Sequence, residues 1–288
     1  MLSERCLYTL IYAEREHHEE ILGQLVTPLV REIRDSPELD SLFFVRFNVP
    51  RWQVRFRILG SSEWVEGRVR PLVKRRLLSF EQRRLANGHE FATYQREYER
   101  YGGEEGMRLA EKVFFHDSLA CLALMEAERK GLVGKSRREI SLVLTEKLLD
   151  LMRFDTTQRI AFQKLGYRWA IDLKSWDEED FKVLDRKYQS LREGLAELLY
   201  GEQSQDAEAQ LGGEVPARIV RTFLDSVRPV IDRLLETHAE GRIPQDLVYL
   251  AWSYTHMLCN RLGIDPTPEA ILRYFMHRLL LDRPGAVA

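Results

Sequence analysis

Residues 41–60 read SLFFVRFNVPRWQVRFRILG. Two apolar runs flank a short segment containing Pro50, which predicts two strands joined by a turn. In the second run the side chains alternate, so Trp52, Val54, Phe56 and Ile58 point to one face and Gln53, Arg55 and Arg57 to the other. One face is core and the opposite face is strongly cationic. Two arginines one pleat apart, ~7 Å by strand rise, need anions, carboxylates or water beside them if the strand lies inside a sheet. On a surface strand both would simply be solvated. The place of this strand in the fold decides between a site and a wet surface.

Working outward, residues 6–13 (CLYTLIYA) are short, apolar on both faces and rich in β-formers, which predicts a buried strand. In residues 14–34, Ile21, Leu25, Val26, Leu29, Val30 and Ile33 recur at helical spacing, and Asp35 to Asp40 with Pro37 end that helix. A second helical stretch covers about residues 65–80, followed by a polar loop through Gly88. Residues 91–100 (FATYQREYER) predict a fourth strand, although their charges also suit a helix. The order β, α, β, β, α, β is that of the ferredoxin-like split βαβ unit, whose third strand lies inside the sheet beside the first. Arg55 and Arg57 would then stand on a central strand, with helices on the Val54 and Phe56 face and a cleft or second layer on theirs. Leu42 to Phe47 would be an edge.

After Tyr101-Gly102-Gly103 the composition changes. Helical period runs through residues 106–130, 136–152, 156–170, 178–200, 216–240, 245–262 and 268–280. Breaks fall at 131–134, at Gly166 or 169–177, at 201–214 and at 265–268, and the polar stretch GEQSQDAEAQLGGE (201–214) predicts a mobile loop. The fold class is therefore α+β: a ferredoxin-like sheet region over residues 1–103 carrying the arginine strand, and a helical region over 104–288, as one integrated domain.

The 288 residues hold 43 basic and 45 acidic side chains, a formal net charge of −2, so no global field favours nucleic acid or anionic lipid. Cys6, Cys121 and Cys259 are odd in number and widely spaced, and MLSERCLYTL lacks the form of a secretory signal, which predicts a reducing cytoplasm. No run approaches the ~18–20 apolar residues that span a bilayer. There is no HExxH or CxxC, adjacent His17 and His18 project to different sides of a helix, and no glycine fingerprint for a nucleotide is present, so neither a metal nor a cofactor is expected. Residues 94–103 (YQREYERYGG) concentrate Arg96, Glu97, Glu99 and Arg100. They form either a solvated edge with weak ion pairs or a wall of the cleft facing Arg55 and Arg57. Glu97 and Arg100 differ in strand parity and share a face only if the strand ends or bulges before Tyr101. His256 lies on an apolar helix with Trp252 at i−4 and Asn260 at i+4. It is a core histidine unless it meets the arginines.

Three stretches, FFVRFNVPRWQVRFRI (43–58), YQREYERYGGEEGMRLAEKVFFHDS (94–118) and YTHMLCNRLG (254–263), resemble in order three signature regions of the C-terminal elimination domain of class I lanthipeptide dehydratases, which also occurs as a stand-alone protein in thiopeptide-type bacteriocin biosynthesis. The resemblance spans nearly the whole chain. In that family the site has two arginines alternating on a strand, a glutamate and an arginine ahead of YGG, and a histidine on a late helix. These fall here on Arg55 and Arg57, on Glu97 and Arg100, and on His256. Two positions depart: where the family commonly has Asp-Pro and then His before the first arginine, this chain has Val49-Pro50 and Gln53.

The resemblance implies β-elimination of glutamate from a glutamylated serine or threonine of a precursor peptide, giving dehydroalanine or dehydrobutyrine. Removing the α-proton builds charge on the amide oxygen, and expelling glutamate releases a carboxylate. Arginine suits both, since its planar fork stays charged and binds oxyanions bidentately. Arg57 and Arg100 would bind the glutamyl group or the developing charge, Arg55 would support them, and Glu97 and His256 would be the acid and base in an order left open. The implied partners are a precursor peptide with its leader and a separate tRNA-dependent glutamylating subunit, with no membrane, no direct nucleic acid, and a homodimer left open. A pyridine synthase joining two dehydroalanines by formal [4+2] cycloaddition fits the same fold. A non-catalytic subunit pairing the Leu42 to Phe47 edge with a leader peptide and an unrelated helical scaffold are the other readings.

Overall fold

A computed structural model of the chain describes residues 4–174 and 176–283. Residues 1 and 288, the outer limits of the two expected regions, lie outside the described residues. Strands β1 (Glu4–Tyr12), β2 (Leu39–Phe47), β3 (Gln53–Ser61) and β4 (His89–Ala92) form one antiparallel sheet in the order β2-β3-β1-β4. Helix α1 (residues 15–33) joins β1 to β2, and α2 (residues 62–82) joins β3 to β4. This is the split βαβ arrangement, with the arginine strand inside the sheet.

Register sets the two faces. Thr9 and Phe44 stand opposite Phe56, whereas Tyr8 and Phe43 stand opposite Arg57, and Leu10 and Val45 opposite Arg55. Leu7, Ile11, Phe44, Val54, Phe56 and Ile58 are fully buried in a core shared with Leu25 and Leu29 of α1 and Val65, Val69 and Val73 of α2. The cationic face turns the other way, toward the helical half. There the long helix α4 (Gly103–Arg129) packs on β2, with Phe114 and Phe43 ring centroids 5.3 Å apart.

The helical half continues as α5 (Arg137–Leu151), α6 (Thr156–Lys174), α7 (Glu178–Tyr200), α8 (Ala207–Leu211), α9 (Glu214–Ala239), α10 (Leu247–Arg261) and α11 (Pro266–Leu281). Buried residues from Leu7 to Leu279 form one cluster, so sheet and helices share a core. Among the described residues no helix is long and apolar enough to cross a membrane.

Four local expectations are corrected. The fourth strand stops at Ala92, and Glu97 and Arg100 instead belong to a single helical turn, α3 (Tyr98–Tyr101), which Glu97 precedes at its N-cap. Gly102 ends that turn in the left-handed region at φ 79°, where a Cβ would also lie 2.6 Å from Ile243. Gly166 does not interrupt α6. A Cβ there would lie 2.9 Å from Cγ of Arg273, so the glycine admits the arginine stem of α11. The stretch 201–214 is not a free loop: it holds a 3₁₀ turn (Glu202–Gln205) and α8, Leu211 is buried, the Gln210 amide donates to Leu198 O at 2.9 Å, and Gly134 N donates to Gly212 O at 2.9 Å. Finally, β2 is the edge expected, but the outward groups of Phe44 and Arg46 are occupied. Phe44 N donates to Ser118 Oγ (3.4 Å) and Phe44 O accepts from Arg261 Nε (2.8 Å), while Asn260 accepts from Arg46 N and donates to Arg46 O, both at 2.8 Å. Strand addition by a leader peptide at this edge would have to break all four.

Candidate functional site

Arg55, Arg57, Glu97, Arg100 and His256 line one cavity of about 670 Å³, enclosed by the cationic face of the sheet, the α3 turn, α6 and α10. Strand alternation delivers the first two, the turn before Gly102 the next two, and one face of α10 the last.

Arg57 sits in a box of aromatic rings. Its guanidinium lies 4.2 Å from the Tyr8 ring centroid, 4.9 Å from Tyr94 and 5.4 Å from Phe43. Ring faces attract a cation but do not neutralise it, and burial lowers the Arg57 pKa from its ordinary value. Its Nε makes no hydrogen bond, and among the described residues no carboxylate pairs with it. The box is held from behind: Glu111, 2 % exposed, takes Arg96 bidentately at 2.8 and 3.1 Å. Burial and then Glu111 push the Tyr94 hydroxyl pKa well up, so it stays protonated.

Arg55 stacks on the Phe47 ring at 3.5 Å and donates to Val49 O at 3.3 Å. Gln53, one of the two departures from the resembled motif, is fully buried and staples the hairpin loop, its amide donating to Val49 O (2.8 Å) and Arg51 O (3.1 Å). Arg100 pairs with Glu97 at 3.2 Å and donates from Nε to Ser253 Oγ at 3.3 Å. The Glu97 side chain is 62 % exposed, at the open side of the pair.

His256 is more enclosed. Its ring stacks on Trp252 (centroids 5.6 Å apart, 17° between planes) and meets Trp169 edge-on at 5.2 Å. Nδ1 lies 2.7 Å from Oε2 of Glu269, whose other oxygen lies 3.4 Å from Nη2 of Arg273. Burial alone would raise the Glu269 carboxyl, but His256 and Arg273 hold it below the ordinary carboxylate range. Glu269 was not anticipated. It follows His256 by 13 positions across the break between α10 and α11, and helical spacing carries no signal over such a gap.

The cavity therefore brings the Arg55, Arg57 and Arg100 guanidinium groups, able to hold a carboxylate and a second oxyanion, together with the His256 imidazole, able to move a proton. Among the described residues no cluster of His, Cys, Asp or Glu is arranged to hold a metal ion.

The family model described as the lantibiotic biosynthesis dehydratase C-terminal domain matches residues 7–280. The chain belongs to this family. As a lantibiotic dehydratase C-terminal domain it is similar to the subtilin biosynthesis protein SpaB of Bacillus subtilis, 24% identical over 159 residues, which are 55% of this chain and 15% of SpaB. In structure it is similar to the tRNA-dependent lantibiotic dehydratase MibB from Microbispora sp. 107891 (TM-score 0.69, 22% identity), covering 96% of this chain and 28% of MibB. It is also similar to TsrL (TM-score 0.69, 18% identity, 96% of this chain and 94% of TsrL) and to TbtD, the pyridine synthase from thiomuracin biosynthesis (0.70, 15%, 96% and 98%). The lantibiotic dehydratase C-terminal domain described here thus spans a small fraction of SpaB and MibB and nearly the full length of TsrL and TbtD.

Proposed function

We propose that this chain eliminates glutamate from glutamylated serine or threonine residues of a ribosomally made precursor peptide, forming dehydroalanine or dehydrobutyrine. One observation carries the reading: the strand arginines, the Glu97–Arg100 pair and His256 converge on a single cavity. His256 takes the α-proton, the electrons of that C–H bond pass to the amide carbonyl as an enolate oxyanion, and collapse of the enolate forms the Cα=Cβ bond and breaks the Cβ–O ester bond. Glutamate leaves as a carboxylate with the bonding pair. Arg57, which lacks a carboxylate partner among the described residues, and Arg100 receive that carboxylate and the amide oxyanion. Arg55 supports them from the hairpin side. Glu97 steers Arg100 and, being the more exposed carboxylate, returns protons to solvent. This chemistry calls on no metal or cofactor. Its substrate requires a separate tRNA-dependent glutamylating subunit acting on a leader-bearing peptide.

The test is mass spectrometry of a glutamylated precursor peptide incubated with the purified protein. Loss of glutamic acid, abolished in Arg57→Ala and His256→Ala, supports elimination, and wild-type turnover in both variants would sink the assignment. A second reading, pyridine synthesis, is favoured by the near full-length match to TbtD. Incubation with a fully dehydrated precursor, seeking a cyclised product, tests it.

A further inference from the structure

The strongest unassigned feature is the buried carboxylate behind His256. Glu269 and Arg273 are 3 % and 2 % exposed and sit one helical turn apart on α11. Arg273 donates from Nη1 to Thr145 Oγ1 at 3.2 Å, reaches Cys259 Sγ at 3.8 Å with Nη2, and lies over the Phe162 ring at 4.9 Å. Its stem fills the space that Gly166 leaves open. The carboxylate is thereby fixed on one side by Arg273 and meets the imidazole on the other. Even a paired buried carboxylate recovers little of its desolvation cost, and this one stands 2.7 Å from a ring nitrogen of a cavity-lining histidine.

We propose that Glu269, held by Arg273, is a positioning residue: it accepts a hydrogen bond from Nδ1–H of His256 and so fixes the ring in the tautomer whose Nε2 carries the free lone pair. Nε2 makes no hydrogen bond within the described residues, and the Trp252 and Trp169 rings limit rotation of the imidazole. A neutral histidine holds one proton on one of two nitrogens, and the partner of the first nitrogen decides which one is basic. During proton abstraction the ring becomes an imidazolium, and the carboxylate stabilises that charge without taking the proton itself. This inference rests on the elimination reading only for which proton is moved.

The experiment is ¹⁵N NMR of the intact protein labelled at its seven histidines, with the His256 signals assigned by their loss in His256→Gln. In its neutral form, reached by raising the pH until one ring proton is lost, the wild-type ring is expected to show a protonated Nδ1 and an unprotonated Nε2. In Glu269→Gln the ring should become a tautomer mixture or pass to Nε2–H, with kcat on a glutamylated peptide falling roughly 10²- to 10⁴-fold and KM little changed. An Nε2–H tautomer in the wild type would overturn the proposal, as would Glu269→Gln with unaltered tautomer and kcat. If Glu269→Gln does not fold, the wild-type spectrum still decides. The two readings fail separately: an Nδ1–H ring in a protein that leaves glutamyl esters untouched refutes elimination and upholds the positioning, whereas an Nε2–H ring in an active eliminase does the reverse.

Discussion

Asp117 and Arg261 form a buried ion pair, Oδ2 to Nη1 2.7 Å, with both side chains almost wholly excluded from solvent. The pair joins α4 to α10, and Arg261 goes on to donate from Nε to Phe44 O on β2. Ser118 and Asn260, the neighbours of the two ions in sequence, take Phe44 N and both backbone groups of Arg46 on that strand. Three stretches far apart in sequence are thus tied at one edge of the sheet, and the tie holds α10 where His256 reaches the cavity.

Asp117→Asn leaves the Arg261 guanidinium buried without its carboxylate, and breaking one partner of such a pair costs about 3–5 kcal/mol. Urea denaturation should show that loss. A midpoint near wild type would mean that the Phe44 carbonyl and the Phe114 ring, 4.8 Å from the guanidinium carbon, suffice.

Arg57→Met should separate stability from function. The variant removes a half-buried cation that has no carboxylate partner among the described residues, so its thermal midpoint should match or exceed wild type. Turnover of a glutamylated peptide should drop roughly 10²-fold or more. A large loss of stability would instead show that the Tyr8, Phe43 and Tyr94 box depends on the cation.

Free glutamate should bind where the leaving group is received. Ligand binding to the folded state alone raises stability by about 2.7 kcal/mol at 100 times Kd. Sodium glutamate should therefore raise the melting temperature above that in sodium chloride of equal ionic strength, and Arg57→Met should abolish the difference. Equal shifts in both proteins would place glutamate elsewhere.

His18, fully buried and packed edge-on against Trp52, sets a pH dependence. Burial, and after it the positive charge of Arg46, lowers its pKa from 6.5 to about 4. Between those values the unfolded chain holds the proton and the folded chain does not, so stability is complete above pH 6.5 and falls as pH drops toward 4. The shift corresponds to about 3 kcal/mol. His18→Phe should flatten this part of the stability profile, measured by denaturation from pH 7 to 4, and an unchanged slope would rule the histidine out.

Gly166→Ala tests the packing behind Glu269. Alanine favours a helix by about 1 kcal/mol, but its Cβ would press on the Arg273 stem at 2.9 Å, where overpacking costs about 1–3 kcal/mol. Net destabilisation is expected in chemical denaturation, and a more stable variant would show that Arg273 can move aside.

The alternation of Gln53, Arg55 and Arg57 with Val54 and Phe56 made the two faces of the sheet legible, because strand geometry is periodic within a few residues. The long helices were legible for the same reason. Residues 93–101 were harder. Their charges suit either a strand edge or a helix, and the left-handed Gly102 together with the packing of Tyr101 against Phe114 and Tyr254 selects a single turn. The polar stretch 201–214 read as loop because one buried leucine, Leu211, and one amide, Gln210, are too few to register as a pattern.

By itself the sequence determined the order of the four strands and the long helices, the apolar and cationic faces of β3, and the residue types available for chemistry, since each is a property of neighbouring positions. The tertiary structure alone decided that β2 is closed by Ser118, Asn260 and Arg261, that five separated side chains share one cavity, and that Glu269 stands behind His256. Those are meetings between groups on different elements, brought about by burial of a common core, and no local periodicity encodes them.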